Sequence, residues 1–274
     1  MLKHLGTEAF ITLKLKRLGR FAAVFGREAA PLHEPSRLPR IIHMFWDQGF
    51  ENAPPLIQRC VASWHDQNPG WRLNLLGAAE AEAILPRSTL PAGSTVQSYT
   101  DMLRVRLLRS QGGVWADATC HCSAPLDSWL PWVMSQSDFF AFARPAYDRP
   151  LASWFLASQP DGRIVTRFDD AIAAYVGGLR APPRAYLWLH YLFEANLWQS
   201  RCLRRAWTHV PSLSATPIHL AQTILVAGRA PTAEELHVLS AVPLHKLTYK
   251  KGVTDANVAR LLGAIARHSA QTHP

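Results

Sequence analysis

The fold is decided by a stretch that reads YTDMLRVRLLRSQGGVWADAT, residues 99–119. Its first half has the spacing of an amphipathic helix near residues 100–110, and a Gly-Gly pair then ends the helical pattern. A short apolar strand over residues 113–117 follows and ends on Asp117. Ligands of α/β sheets bind beyond the carboxyl ends of the strands. Asp117 is therefore a candidate ligand-binding carboxylate.

The segments before this stretch alternate between strand and helix. The nearly continuous apolar run RIIHMFW, residues 40–46, predicts a strand buried on both faces. A helix opened by prolines, a strand over 71–76 and a short helix over 78–85 come next. This alternation predicts a parallel sheet with crossover helices, which puts Trp46 at the same edge of the sheet as Asp117.

The later chain continues with apolar segments and helical patterns. A strand is predicted over 139–143, and the apolar segment 151–158 ends at a turn signal. His219 is expected in a proline-rich turn, and Lys246 in a short segment near the end. Helices are predicted over 163–176, 185–198 and 255–268.

Composition favours one large domain with a sizeable core, because 48% of the 274 residues are hydrophobic. The 29 basic and 20 acidic residues give a formal net charge of +9. This charge suits anionic partners such as phosphates, nucleotide sugars, nucleic acid or an acidic membrane face. The basic residues are dispersed and form no recognisable nucleic-acid motif, so nucleic acid is not an expected partner.

Residues 1–39 are predicted to be a separate unit, a basic amphipathic helix with a linker, ahead of a single domain over 40–274. Apolar residues recur at helical spacing between positions 11 and 25, with lysine and arginine around them. Such a helix can make peripheral contact with an anionic membrane. A helix packed on the domain and a frayed terminus are the alternatives. No apolar run approaches the ~20 residues that cross a bilayer.

The four cysteines indicate a reducing compartment. Cys120 and Cys122 flank His121, a spacing too close for a typical zinc finger, so buried thiols are favoured over a metal site. A cytoplasmic location is expected, with a place at the inner face of the cell membrane if the basic helix binds there.

The order D-M-L-R, G-G-V-W and A-D-A-T resembles the capsular polysaccharide synthesis proteins. These are similar to sugar transferases that carry an aspartate-x-aspartate (DXD) motif after a Gly-Gly-aromatic turn. I-I-H-M-F-W, S-W-F-L-A, H-Y-L-F-E and H-K-L-T-Y-K also fit, so the resemblance spans roughly residues 40–251. It implies a GT-A-type glycosyltransferase: an α/β domain of Rossmann type, with a mostly parallel central sheet and helical C-terminal additions, that binds a nucleotide-diphosphate sugar.

The resemblance also implies a divalent metal, Mn²⁺ or Mg²⁺, at the diphosphate. Asp117 matches the first aspartate of the motif and would hold that ion through hard oxygen ligands. The second position is Thr119, whose hydroxyl ligates a metal weakly or binds a phosphate oxygen. His219 or His190 could complete the coordination, because neutral imidazole is a metal ligand. The alternative for each is a solvated or structural histidine.

Asp101 and Arg104 lie three residues apart and share one helical face. The resemblance assigns both to the donor sugar, and with Asp117 they are the candidate catalytic residues. The alternative is a helix start with a local ion pair, capped by Thr100 or Asp101. Gly112 and Gly113 allow a tight turn beside this face and are counted with the donor site.

Four further residues have a functional and a structural interpretation. Trp46 stacks on the nucleotide base or belongs to the core. Trp154 and Phe155 line an acceptor sugar subsite or pack in the core. Lys246 neutralises the diphosphate, where the resemblance places a basic residue, or is a surface lysine.

The expected function is transfer of a sugar from a nucleotide-diphosphate sugar to a surface-polysaccharide or glycolipid acceptor. Retention of configuration is expected only because similar transferases are mostly retaining, and no residue is assigned as a base. The alternative is a non-catalytic carbohydrate- or partner-binding protein on a lapsed transferase fold. Thr119, in place of a second aspartate, motivates that alternative.

Overall fold

The structure, a computed structural model, describes residues 38–146, 149–183, 185–250 and 252–272. The predicted basic helix and nearly all of its linker lie outside the described residues. A membrane role for that helix therefore stays a prediction.

A five-stranded sheet forms the centre of the described fold, in the order β2-β1-β3-β6-β5. Its strands are β1 (Ile41–Phe45), β2 (Arg72–Leu76), β3 (Gly113–Ala116), β5 (Phe139–Ala143) and β6 (Leu151–Ser158).

The sheet is mixed, so the prediction of a mostly parallel sheet is only partly confirmed. Strand β1 is parallel to β2 and to β3, as the alternating pattern predicts. Strand β6 is antiparallel to both β3 and β5. The short connection between β5 and β6 explains this, since antiparallel neighbours need no crossover helix.

Most of the helices follow the predicted pattern, but three helices between residues 201 and 241 were not predicted. In the first half of the chain the helices are α1 (Pro55–Gln67), α2 (Ala78–Ile84), α3 (Val96–Gln111) and the short α4 (Leu130–Val133). After β6 they are α5 (Arg163–Gly177), α6 (Trp188–Gln199), α7 (Arg201–Trp207), α8 (Thr216–Ala227), α9 (Ala233–Ala241) and α10 (Asp255–Thr272). None of the helices in the described ranges is long and apolar enough to cross a bilayer.

Helix α3 begins four residues earlier than predicted. The side chain of Thr95 accepts a hydrogen bond from the backbone N–H of Ser98, so Thr95 is the N-cap. The prediction that Thr100 or Asp101 caps the helix was therefore wrong. Asp101 lies inside the helix with its side chain buried.

The Gly-Gly turn is a structural feature at the amino end of β3, away from Asp117. Gly112 has a φ of +64° and Gly113 a φ of +90°. A Cβ on Gly113 would lie 2.5 Å from the Ile41 carbonyl oxygen, and one on Gly112 would lie 2.8 Å from the Pro160 nitrogen. Glycine is required here by φ and by close packing. Neither residue lines the cavity described below, so their assignment to the donor site was wrong.

His43 ties this turn to the sheet from the middle of β1. Its Nε2 lies 2.9 Å from the Gly112 carbonyl oxygen, and its Nδ1 lies 2.9 Å from Asn74 Nδ2. Since a carbonyl can only accept and an amide N–H donates, Nε2 carries the proton and Nδ1 accepts. Burial outweighs the Gly112 bond and lowers the pKa of His43 to about 4.

A two-stranded ribbon joins the middle of the chain to its late segment. Strand β4 (Cys120–Cys122) pairs antiparallel with β7 (Leu244–Lys246), and Cys120 lies opposite Lys246. The ribbon continues into the loop before β4, where Leu247 N–H donates to the Thr119 carbonyl oxygen at 2.9 Å. It thereby carries Lys246 to the end of β3.

Candidate active site

A cavity of about 790 Å³ opens at the carboxyl ends of β1 and β3. Its lining comes from both halves of the chain, including the segments after β1, β3 and β7. The predicted site residues that line it are Trp46, Asp101, Arg104, Asp117, Thr119, Trp154, His190, His219 and Lys246.

Asp117 is the centre of a cluster of opposite charges. Its backbone N–H donates to the Trp154 carbonyl oxygen at 2.8 Å, which fixes the position of the residue just beyond β3. Its Oδ1 accepts hydrogen bonds from Trp115 Nε1 at 3.0 Å and from Arg104 at 3.3 Å. Its Oδ2 accepts from Lys246 Nζ at 2.9 Å. Both carboxylate oxygens are therefore bonded to donors.

Arg104 reaches this cluster from helix α3. Its Nη1 donates to Asp101 Oδ1 at 2.7 Å, which confirms the predicted pairing on one helical face. Its guanidinium carbon lies 5.4 Å from the centre of the Trp115 ring. Asp101 and the indole thus hold the guanidinium against the carboxylate of Asp117.

Lys246 completes the cluster from strand β7. Its ammonium donates to Thr119 Oγ1 at 2.7 Å as well as to Asp117. The interpretation of Lys246 as an ordinary surface lysine was wrong, because only 14% of its side chain is exposed.

The charges of the cluster perturb one another. Burial would raise the pKa of Asp117, but Lys246 and Arg104 outweigh burial and lower it to about 2. Burial would lower the pKa of Lys246, and Asp117 outweighs that effect and raises it. Burial raises the pKa of Asp101 to about 7 against the opposing effect of Arg104. Near neutral pH Asp117 is therefore ionised and Lys246 is protonated.

His219 lies in helix α8, and the prediction that it belongs to a turn was wrong. Trp154 Nε1 donates to its Nε2 at 3.0 Å, so the proton is on Nδ1, which donates to Gln222 Oε1 at 3.1 Å. Burial lowers the pKa of His219 and keeps the ring neutral. A metal at Nε2 would have to displace the indole.

The groups near Asp117 do not fit a divalent cation. A hard cation takes several oxygen ligands. Here both oxygens of Asp117 already face an ammonium or a guanidinium, and the other carboxylate of the cluster, Asp101, is hydrogen-bonded to Arg104. Among the described residues, no group of three or more histidine, cysteine, aspartate or glutamate side chains could hold a metal ion. The presence of Mn²⁺ or Mg²⁺ therefore stays a prediction.

Trp154 and Phe155 point to opposite sides of β6. Trp154 lines the cavity, packs on Phe142 and is hydrogen-bonded to His219. Phe155 is fully buried and packs on Trp64 with 6.3 Å between ring centres. The assignment of Phe155 to an acceptor subsite was therefore wrong, because the side chain belongs to the core.

Sequence reasoning missed several residues around the cavity. Tyr249 packs edge-on against Trp46 with 5.6 Å between ring centres, so the two form one aromatic wall. Tyr186 is 74% exposed and lines the rim, and Arg149 and Lys250 add positive charge. The signal in the sequence for Tyr249 and Lys250 is their place in the segment H-K-L-T-Y-K, residues 245–250, which is part of the resemblance.

The cysteines beside the site are buried, as predicted. Burial raises the pKa of Cys120 to about 12 and that of Cys122 to about 11, so both are protonated thiols. Trp64 Nε1 donates to the Cys120 carbonyl oxygen at 2.8 Å, which anchors β4 to α1. The two thiols are therefore part of the buried structure that supports the site.

Two curated relatives match short parts of the chain. The glycosyltransferase afumC of Aspergillus fumigatus (strain CBS 144.89 / FGSC A1163 / CEA10) is 31% identical over 108 residues, covering 34% of this chain and 27% of that protein. The O-glycosyltransferase braB of Annulohypoxylon truncatum is 28% identical over 89 residues, covering 27% and 21%. The chain thus spans about a quarter of the length of these relatives.

Solved structures with a loosely similar fold include two glycosyltransferases. The PaToxG glycosyltransferase matches with a TM-score of 0.42 and 13% identity over 85% of this chain and 87% of that one. The apo form of GlyE from Streptococcus pneumoniae TIGR4 matches with a TM-score of 0.45 and 10% identity over 85% and 60%. Scores this low carry no conclusion about function.

The match that covers most of the chain is to a family model. The model described as "Capsular polysaccharide synthesis protein" matches residues 27–264. This span includes all of the sheet, the ribbon and the charge cluster. The chain belongs to the capsular polysaccharide synthesis protein family.

Proposed function

We propose that this protein is a GT-A-type glycosyltransferase that takes its sugar from a nucleotide-diphosphate donor. The observation that carries the proposal is the cluster of Arg104, Asp117 and Lys246 at the carboxyl end of β3, inside a cavity of about 790 Å³. Two fixed cations beside one carboxylate suit a ligand with more than one negative charge. Family membership and the glycosyltransferase names of the two curated relatives support this class of reaction.

The reaction needs positive charge where the leaving group develops negative charge. The bond between the anomeric carbon and the diphosphate oxygen breaks, and its electron pair stays on the nucleoside diphosphate. The acceptor hydroxyl oxygen forms the new bond to that carbon, and its proton leaves to the diphosphate or to water. Arg104 and Lys246 would bind the diphosphate oxygens and stabilise their growing charge without having to move.

Neighbouring groups suit the rest of the donor. Trp46 and Tyr249 present an aromatic wall on which a nucleotide base can stack. The second carboxylate oxygen of Asp101 and the rim residue Gln48 offer hydrogen-bonding partners for sugar hydroxyls.

The acceptor in this proposal is a surface polysaccharide or a glycolipid. The family description supports it. The exposed Tyr186 offers aromatic surface at the cavity for an acceptor sugar ring, and Trp154, which is only 6% exposed, also lines the cavity. We further propose that the protein works on the cytoplasmic side, at the inner face of the membrane, and that it retains the configuration of the transferred sugar.

A non-catalytic carbohydrate- or partner-binding protein is the second candidate. Thr119 in place of a second carboxylate favours it, as does the fact that Asp117 is already fully paired. The two candidates differ in turnover, because a binding protein would recognise a sugar or nucleotide without consuming a donor.

The first experiment is a thermal-shift screen of nucleoside diphosphates and nucleotide sugars, followed by a transfer and hydrolysis assay with each ligand that binds. A ligand that binds only the folded state raises its stability by RT ln(1 + [L]/Kd), so weak ligands are detected at high concentration. We expect at least one nucleotide sugar to stabilise the protein and to be turned over.

Asp117→Asn tests the site within the same assay. We expect turnover to be lost while circular dichroism shows a folded protein, because Arg104 and Lys246 lose the carboxylate that positions them. Asp170→Asn, which changes an exposed carboxylate on α5, is the matched control. Stabilisation without turnover would favour the binding-protein alternative, and no stabilisation by any donor would rule out the proposal.

A further inference from the structure

Lys246 occupies the place between Asp117 and Thr119. Its ammonium lies 2.9 Å from Asp117 Oδ2 and 2.7 Å from Thr119 Oγ1. These two residues stand at the two motif positions, two apart, that would both be carboxylates in a metal-binding aspartate-x-aspartate site. The ammonium thus lies where the two side chains of that motif converge.

The position of this lysine is set by the backbone. Lys246 pairs with Cys120 in the β4–β7 ribbon, and the next residue, Leu247, bonds to the Thr119 carbonyl oxygen. Only 14% of the lysine side chain is exposed, so its ammonium has a fixed position in the site.

Arg104 limits the remaining space for a cation from the other side. Its guanidinium faces Asp117 Oδ1, which also accepts from Trp115. A divalent cation at Asp117 would meet a positive charge on each side and would have to break at least one of these bonds. Positive charge at Asp117 is already supplied by two side chains.

We propose that Lys246, together with Arg104, replaces the divalent cation of this site, so that the nucleoside diphosphate binds without metal. The inference deepens the proposed function and rests on it. It also explains Thr119. A hydroxyl accepts one hydrogen bond from the ammonium without cancelling its charge, whereas a carboxylate at this position would pair with Lys246 as Asp117 does and leave less positive charge for the phosphates.

Isothermal titration of the full-length protein with UDP, GDP, ADP and CDP tests the inference directly. Each titration is made once with EDTA and once with excess Mn²⁺. We expect the Kd of the preferred nucleotide to agree within about threefold between the two conditions, a difference of about 0.7 kcal/mol. Binding seen only with Mn²⁺ would overturn the inference and leave the proposed function standing. An absence of binding in both conditions would overturn both.

Lys246→Met removes the ammonium and keeps the length of the side chain. We expect it to weaken nucleotide binding in EDTA by about 30-fold or more, the usual loss when one partner of a buried charge contact is removed. Arg201→Met removes one exposed positive charge from α7, outside the cavity lining, and should leave the Kd unchanged. An unchanged Kd for Lys246→Met would overturn the inference.

The double variant Thr119→Asp, Lys246→Met rebuilds the two-carboxylate motif. We expect it to bind Mn²⁺ alone, seen as a loss of the free-ion signal in electron paramagnetic resonance, and to bind the nucleotide only with Mn²⁺. The wild-type protein should leave the Mn²⁺ signal unchanged. Mn²⁺ binding by the wild-type protein at the affinity of the double variant would contradict the inference, as would a double variant that binds the nucleotide equally well in EDTA. If either variant fails to fold, the wild-type titrations still decide.

Discussion

Acid should destabilise this protein in part by protonating His43, the buried histidine between the Gly-Gly turn and β2. In the folded state burial lowers its pKa to about 4, against 6.5 for a free histidine. Between these values the unfolded chain binds the proton and the folded protein does not. The contribution of neutral His43 to the free energy of unfolding is therefore complete above pH 6.5 and is lost as the pH falls from 6.5 to about 4.

The size of the effect follows from the gap of about 2.5 pH units. Each unit changes the free energy of unfolding by about 1.4 kcal/mol for one proton, so His43 should account for roughly 3 kcal/mol between pH 6.5 and pH 4. The hydrogen-bond geometry agrees with this direction. A proton on Nδ1 would face the Asn74 amide that now donates to it.

The assay is urea unfolding, followed by tryptophan fluorescence, of the wild-type protein and of His43→Gln at a series of pH values. Glutamine cannot be protonated but can still donate to the Gly112 carbonyl oxygen. The pH-dependent part of the difference between the two curves isolates His43, because the buried His121 and His245 contribute equally to both. His65→Gln, at a position whose side chain is 77% exposed, is the control. Parallel pH curves for wild type and His43→Gln would refute this account.

Three further predictions concern stability, each measured by urea unfolding. Gly113→Ala should lower the free energy of unfolding by about 2–5 kcal/mol, because of the left-handed φ and the nearby carbonyl. Gly228→Ala, with a φ of +65° and no neighbour within 4 Å, should lower it by only about 1–2 kcal/mol. Equal losses of stability would contradict the close-packing argument. Asp169→Asn should lower the free energy of unfolding by about 2–3 kcal/mol. This is less than the roughly 3–5 kcal/mol lost when a fully buried ion pair is broken, because the two arginines that bind this carboxylate are about a third exposed. Asp170→Asn should leave the stability nearly unchanged. Phe155→Ala should cost about 3–5 kcal/mol and leave the Kd for nucleotide unchanged, and a selective loss of ligand binding would return Phe155 to the site.

Much of the sheet could be predicted from the sequence because most of its strands are predominantly apolar runs, although β2 contains Arg72 and Asn74. The composition of β6 does not give its direction, but the seven residues that separate it from β5 are too few for a crossover helix and indicate an antiparallel pair. The opposite placement of Trp154 and Phe155 was predictable in principle. Successive side chains of a strand point to opposite faces, so the two residues could not share one subsite.

Part of the candidate site could be predicted because some of its residues belong to local patterns in the sequence. Asp101 and Arg104 are neighbours on a helix, and Asp117 ends a strand, so local periodicity identifies all three. The helix that contains His219 begins with Thr216-Pro217, and proline at a first helical turn looks like a loop in the sequence. The bond from Lys246 to Asp117 depends on long-range pairing, which no local pattern encodes.

That bond joins residues 129 positions apart in the chain, and it affects how the protein is made. A contact between distant residues requires a long loop to close, which costs entropy, so such contacts form late in folding. During synthesis, Asp117 has no contact with Lys246 until residue 246 has left the ribosome. A partly made or partly folded chain can contain the sheet and still lack the site, so tight nucleotide binding would report that the domain is complete.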